Sequence, residues 1–157
     1  MRPHSLSRSA ASAVNANTIT SLLLSVETRG TGFTDITREV AKFLREAGAR
    51  EGVVTLFIRH TSASLTIQEN ADPSVLQDLT TALNRLAPED AGWVHDTEGP
   101  DDMPAHIKTM LTSVSLQIPV LNGAMALGTW QGIYVAEHRA RPHRREIVLQ
   151  FIGSAAP

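Results

Sequence analysis

The run Glu146–Ile152, EIVLQFI, admits few structural solutions, because almost continuous apolar character over so short a stretch marks a strand enclosed inside a sheet or barrel-like core. The rest of the chain must supply its neighbours. Ile19–Glu27, Gly52–Arg59, Leu65–Ile67, Ser115–Val120, Gly123–Leu127 and Gly128–Glu137 have the β-branched and aromatic content of strands. Asn122-Gly123 between two of them is a hairpin turn signal. Helical periodicity intervenes in three places. In Phe33–Arg50, Ile36, Val40, Phe43 and Leu44 share one face, with Asp35 to cap the start and Gly48 to end it. Asp72-Pro73 opens a second helix with a buried stripe of Val75, Leu76, Leu79, Leu83 and Leu86, closed by Pro88. A third begins near Pro104, capped by Asp101 or Asp102, with Ile107, Met110 and Leu111 facing inward. The pattern predicts an α+β fold: a largely antiparallel β-sandwich or barrel-like sheet with two or three covering helices.

The chain has 157 residues, 42% of them hydrophobic, which is enough for one domain. Residues 1–17, rich in Ser, Ala and Arg, read as a disordered leader, and residues 18–157 as a single domain. A formal charge of −2 and a pI near 6.3 argue against nucleic acid or an anionic membrane as partner. No stretch approaches the roughly 18 apolar residues of a membrane span, and the leader lacks the apolar centre of a signal peptide. A cytoplasmic protein is expected. The absence of cysteine removes thiolate chemistry and zinc–thiolate sites, so any reactive group is oxygen or nitrogen.

Polar residues concentrate in a few clusters. Trp93–His106, WVHDTEGPDDMPAH, is too polar and too broken by Gly and Pro to be core. Its His95, Asp96, Glu98, Asp101, Asp102 and His106 suit a divalent cation, or simply a solvated loop leading into a helix. HTSAS at 60–64 puts His60 where a strand emerges, followed by Thr61, Ser62 and Ser64, whose hydroxyls can orient a phosphate or water. Without a nucleophile elbow these residues do not spell a serine hydrolase. Glu69, Asn70 and Asp72 precede a helix N-terminus, a seat for an anion, although capping alone accounts for Asp72. Gly128–Gln131, GTWQ, could bound a planar ligand, and Gln131 is the stronger candidate because an amide is costly to bury without partners. The basic run His138–Arg145 offers guanidinium groups for oxyanions, of which Arg144 is taken as substrate-binding.

Three of these segments in order, HTSASLTIQENADPSV, HDTEGPDDMPAHIK and G-x4-GTWQGIYVAEHR, resemble the signature segments of the YjbQ-like family, known as secondary thiamine-phosphate synthases. The resemblance runs from about Ile19 to Gly153. It implies a homotrimer with a polar pocket near the subunit interface, and an activity joining a hydroxymethylpyrimidine diphosphate to a thiazole phosphate with release of diphosphate. Carried over motif by motif, it places His60, Ser62, Ser64, Asn70, Asp72, His95, Asp96, Glu98, His106, Gln131 and Glu137 in the pocket. Several family members have cysteine where this chain has Ala71, so no shared activity requires a thiol.

The expectation is therefore a transferase acting on a phosphorylated small molecule. His60, His95, Asp96, Glu98, His106 and Glu137 are the catalytic candidates, and Ser62, Ser64, Asn70, Asp72, Gln131 and Arg144 the substrate-binding ones. The thiazole nitrogen would be the nucleophile, leaving the protein to position substrates and neutralise the departing diphosphate. Mg2+ on Asp96, Glu98, Asp101 or Asp102, an arginine, or a helix N-terminus could neutralise that charge; His60, His95 and His106 suit either general acid/base catalysis or ligation of zinc, and no organic cofactor is expected. The alternatives are a metal-assisted hydrolase of a phosphorylated small molecule, using the same residues, and a non-catalytic trimeric module that binds a small molecule or metal.

Overall fold

The computed structural model describes residues 5–156. The chain folds as α+β, with two antiparallel sheets curled into a half-barrel and three helices. Its elements in order are β1 (Thr18–Glu27), β2 (Gly32–Asp35), α1 (Thr37–Glu46), β3 (Ala49–Ile58), β4 (Ala63–Glu69), α2 (Pro73–Leu86), α3 (Asp102–Leu111), β5 (Ser115–Leu121), β6 (Ala124–Met125), β7 (Gln131–Glu137) and β8 (Arg144–Ala155). One sheet runs β1-β8-β3-β5-β6 and the other β2-β7-β4. The leader residues 5–17 carry neither helix nor strand and are exposed, while residues 1–4 lie outside the described part.

The EIVLQFI run is the heart of β8, which lies between β1 and β3 and pairs with both along its length. Side chains alternate across a strand, so Ile147, Leu149 and Phe151 point inward and are fully buried. They meet Val54, Leu56 and Ile58 of β3, Ile118 and Val120 of β5, Leu65 of β4, Ile133 and Val135 of β7, and Val40, Phe43 and Leu44 of α1 in one core. The outer face of this sheet explains why the run is apolar on both sides. Registered rows Leu23–Val148–Phe57 and Ile19–Ile152–Val53–Pro119 flank a polar row Ser21–Gln150–Thr55–Gln117. Ile19, Leu23, Phe57 and Ile152 stay exposed there.

Local signals account for most boundaries. Asn122 and Gly123 both take positive φ, 52° and 82°, in the two-residue turn joining β5 to β6. Gly48, φ 63°, follows the end of α1. The Asp72 carboxylate accepts the Ser74 amide at 2.9 Å as the cap of α2, with Pro73 in the first turn.

Other expectations are corrected. The helix expected after Asp35 begins at Thr37, whose amide the Asp35 carboxylate accepts at 2.8 Å, but the residues before it, Gly32–Asp35, form a short strand bonded to β7 that was not expected. The third helix starts at Asp102 with Asp101 in the cap position, as expected, but the Asp101 side chain makes no capping bond and turns to Arg139 instead. Met110 and Leu111 face solvent rather than the core, as the inward face of α3 is taken by Ala105, Lys108 and Thr109. None of the α2 stripe is fully buried, and Leu86 is exposed, since the helix lies over the margin of the small sheet. The strand expected over 123–127 shortens to Ala124–Met125, and the one expected from Gly128 begins at Gln131, because 128–130 forms a turn.

Gly52 and Gly153 are directly paired where β3 and β8 approach closely, beside a register shift between Ala49 and Glu51. A Cβ on Gly153 would lie 2.1 Å from the Glu51 carbonyl oxygen, which is backbone and cannot swing aside. Gly153→Ala is expected to cost about 1–3 kcal/mol, the usual penalty for forcing extra atoms into a packed site. Urea unfolding checks this, and a variant as stable as the parent would show that the close approach can spread at no cost.

Candidate functional site

The polar residues gather at the end of the half-barrel where β3 and β7 finish and β4 and β8 begin. Asp102 opens α3 and is 2% exposed. His106 lies one turn on, at i+4, and so projects from the same face. Its Nε2 is 3.4 Å from Asp102 Oδ2. His95, on the loop between α2 and α3, brings its Nε2 to 2.8 Å from the same oxygen. The other carboxylate oxygen, Oδ1, is bonded to the Arg139 guanidinium, which also donates to Asp101 at 3.1 Å and to the Glu98 carbonyl at 2.8 Å. Burial opposes ionisation of Asp101, but the Ala140 amide and Arg139 outweigh it and hold its carboxyl below the ordinary value.

Hydrogen-bond logic fixes the tautomer of His106. Its Nδ1 lies 2.9 Å from the Thr61 carbonyl, which can only accept, so Nδ1 carries a proton, and in the neutral ring Nε2 presents a lone pair. Such a lone pair facing a carboxylate oxygen calls for a cation between them, either a second proton or a metal ion. His95, Asp102 and His106 place one candidate ligand atom each within 4.8 Å of one another. Among the ligands expected from the sequence, His95 and His106 come together, with Asp102 as their third. His60 stands apart, and its Nε2 accepts the Glu146 backbone amide at 2.9 Å.

A second network lies behind the first. Glu137, at the end of β7, and Arg145, at the start of β8, form a bidentate pair at 2.6 and 2.7 Å, and both are buried. Thr28 Oγ1 and the Arg139 amide also donate to Glu137. Burial works against its ionisation, and the bonds from Arg145, Arg139 and Thr28 more than reverse that, leaving it below the usual carboxylate range. Arg145 also reaches the Ser62 hydroxyl at 3.1 Å. Ser64, fully buried, lies 2.8 Å from His138 Nε2 and accepts from Thr112 at 2.7 Å. Lys108, 5% exposed, donates to Asn84 at 2.7 Å, and burial depresses its amine. His60 is held below its ordinary value by burial and then by Arg145.

The remaining candidates lie elsewhere. Asp96 is exposed in a recess beside Trp93 and His95, and Glu98 contributes its backbone carbonyl. Asn70 and Gln131 sit at the far end of the β4–β7 pair, where Glu69 is registered with Gln131, whereas Ala63 is registered with Glu137 at the near end. That length of strand is about 20 Å at 3.4 Å per residue. There Gln131 closes a turn onto the Gly128 amide, Asn70 bonds the Gln131 carbonyl, and Asp72 caps α2. Arg144 points out and bonds Ser25 at 2.6 Å. Arg145 and Arg139 are the basic residues built into the site, and Lys108 joins them from α3. Strand alternation counted back from Phe151, Leu149 and Ile147 would have singled out Arg145 over Arg144.

His138 provides a test of this end of the molecule. It is 3% exposed, and burial, aided by Lys108, lowers it from 6.5 to about 4. Above pH 6.5 both folded and unfolded chains hold it neutral. As pH falls from 6.5 to 4 only the unfolded chain takes up this proton, so stability drops by about 3 kcal/mol and levels off below 4. Urea unfolding between pH 7 and pH 4 is expected to show a shallower slope for His138→Gln than for the parent, and identical slopes would remove His138 as the cause.

Comparison with known proteins gives a consistent result. The family model described as UPF0047 protein YjbQ-like matches residues 23–154. A UPF0047 protein of Synechocystis is 47% identical over 132 residues, covering 83% of this chain and 90% of that protein. The UPF0047 protein YjbQ of Salmonella typhimurium is 44% identical, covering 78% and 89%. Among solved structures, an uncharacterized conserved protein of the YjbQ/UPF0047 family from Clostridium acetobutylicum superposes with a TM-score of 0.77 at 38% identity, covering 83% of this chain and 98% of that one. A conserved hypothetical protein from Thermus thermophilus gives 0.72 at 41% identity, covering 81% and 97%.

Proposed function

The chain belongs to the UPF0047 YjbQ-like family, and from that membership and the His95–Asp102–His106 cluster we propose a cytoplasmic enzyme that handles a phosphorylated small molecule with a divalent cation. The observation that carries this reading is the position of His106 Nε2, 3.4 Å from a buried carboxylate oxygen that His95 Nε2 also faces, with His106 Nδ1 turned to the Thr61 carbonyl. A metal-binding histidine usually donates its other ring N–H to a carbonyl or carboxylate, as His106 does to Thr61. Arg139 fixes Asp102 in the same supporting manner. Two imidazoles and one carboxylate suit zinc or a similar ion better than Mg2+, and three protein ligands leave a position open to substrate. When bound, such an ion supplies Lewis acidity toward phosphoryl oxygens and lowers the pKa of water. The protein's own part is to orient: Thr61 sets the ring of His106, Arg139 holds the carboxylate, and the half-exposed His95 forms the open side.

In the leading reading, a thiamine-phosphate-synthase-like transfer, the thiazole nitrogen bonds to the pyrimidine methylene carbon as that carbon's bond to the diphosphate oxygen breaks, and a cation held by His95, Asp102 and His106 would supply charge neutralisation for the diphosphate. Hydrolysis is the second reading, favoured by the ligand set itself, since two histidines and a carboxylate recur in zinc hydrolases. We also propose a homotrimer. The exposed apolar rows of the large sheet favour assembly, and another copy could bring its Trp130–Gln131 end, a strand length away within one chain, near the histidines.

Elemental analysis of the purified protein is expected to find about one zinc or similar ion per chain, and at least about tenfold less in Asp102→Asn and His106→Ala. Turnover of a hydroxymethylpyrimidine diphosphate with a thiazole phosphate, against release of phosphate from a phosphomonoester, separates transfer from hydrolysis. Metal-free parent protein would sink the metal centre, bound metal without either turnover would leave a binding module, and a monomeric native mass would sink the trimer.

A further inference from the structure

His60 has a hydrogen-bonding problem that the protein alone does not solve. Its Nε2 accepts the Glu146 amide at 2.9 Å, so a ring that accepts there carries its proton on Nδ1. Yet Nδ1 lies 3.4 Å from Arg145 Nη1, and a guanidinium has donors only. Two N–H donors therefore converge. The other nitrogens of Arg145 are engaged, Nε and Nη2 by Glu137 and Nη2 also by Ser62. Nη1 is left without an acceptor among the described residues, on a side chain 4% exposed. Leaving such a donor unpaired costs more than an ordinary hydrogen bond returns.

The surroundings indicate what the acceptor is. His60 lines a cleft of about 470 Å³ together with His106, Thr109 and Thr112. Thr109 Oγ1 is buried with no partner, a further donor unsatisfied beside the same cleft. One oxygen of an anion can accept from both donors, as a water could, and unlike water it brings a negative charge to a guanidinium, which makes the hydrogen bond charge-assisted.

We propose that His60 Nδ1 and Arg145 Nη1 form an oxyanion seat that receives a phosphate group of the substrate, beside the cleft that leads to His106. The choice of phosphate over other oxyanions rests on the reading of a phosphorylated substrate given above; the convergence of donors does not. The seat is separate from the cation cluster, so one molecule lying in the cleft would be gripped by the seat at one end and by the cluster at the other. His60 is in this view a binding residue and not a metal ligand.

Inorganic phosphate titrated into chelator-treated protein, followed by calorimetry, tests the seat without the metal. His60→Gln retains one acceptor for Glu146 and one donor for the anion, and is expected to bind phosphate within about threefold of the parent. His60→Leu is expected to lose at least about tenfold, the worth of one hydrogen bond to a charged group. Nitrogen-15 NMR of the parent's imidazoles, which needs no variant to fold, is expected to find His60 protonated at Nδ1. A proton on Nε2, absence of phosphate binding, equal affinity for acetate, or equal binding by His60→Leu would each overturn the proposal. The two readings fail separately: metal content without phosphate binding removes the seat alone, and phosphate binding without metal removes the cation centre alone.

Discussion

The buried pair of Glu137 and Arg145 joins the two sheets at the end where the polar side chains gather. Glu137 closes β7 in the three-stranded sheet and Arg145 opens β8 in the five-stranded one, so their paired contacts cross the seam of the half-barrel. Taking two charges out of water is expensive, and their mutual attraction offsets the cost only when geometry is good and the leftover donors and acceptors are filled. Here Thr28 and the Arg139 amide fill Glu137, and Ser62 takes part of Arg145. The arrangement sets the angle at which Arg139 leaves β7, and through Arg139 the place of Asp101 and Asp102.

The site is thus layered rather than contiguous in sequence. Asp102 is held from behind by Arg139 and approached from the front by two imidazoles, one from its own helix and one from the preceding loop. His60 performs a different service. Beyond Ile58 the β3 chain leaves the ladder, and the ring of His60 accepts the Glu146 amide that a strand carbonyl would otherwise have taken. The turn that delivers Thr61 to His106 is anchored by that bond.

The sequence made the architecture legible because its strongest signals are local. An almost continuous apolar run marked β8, a 3.6-residue period marked α1, and Asn122-Gly123 and Asp72-Pro73 marked turn and cap through their own backbone chemistry. The strand Gly32–Asp35 was not legible, since only its pairing with β7 makes it one. At the site, His95 and His106 were readable from a polar, Gly/Pro-broken segment. Asp102 read equally well as a helix cap, and only the fold shows it buried beneath Arg139. Arg145 hid within a basic run whose members differ only by which face of the strand they occupy. Asn70 and Gln131, grouped with the histidines by motif, stand a strand length away because a motif orders residues along the chain and not in space.

The loose packing of α2 has a consequence for the chemistry of a single amine. No residue of this helix is buried, whereas β7 of the small sheet is buried along almost its whole length, so α2 is the element expected to open before the sheet unfolds. Asn84, on α2, is the hydrogen-bond partner that keeps Lys108 in place under it. Each opening returns Lys108 to water, where desolvation no longer suppresses its basicity and reagents can reach it. The acylation rate of that one lysine in the folded protein is therefore a clock for the motion of a helix that carries no reactive group of its own.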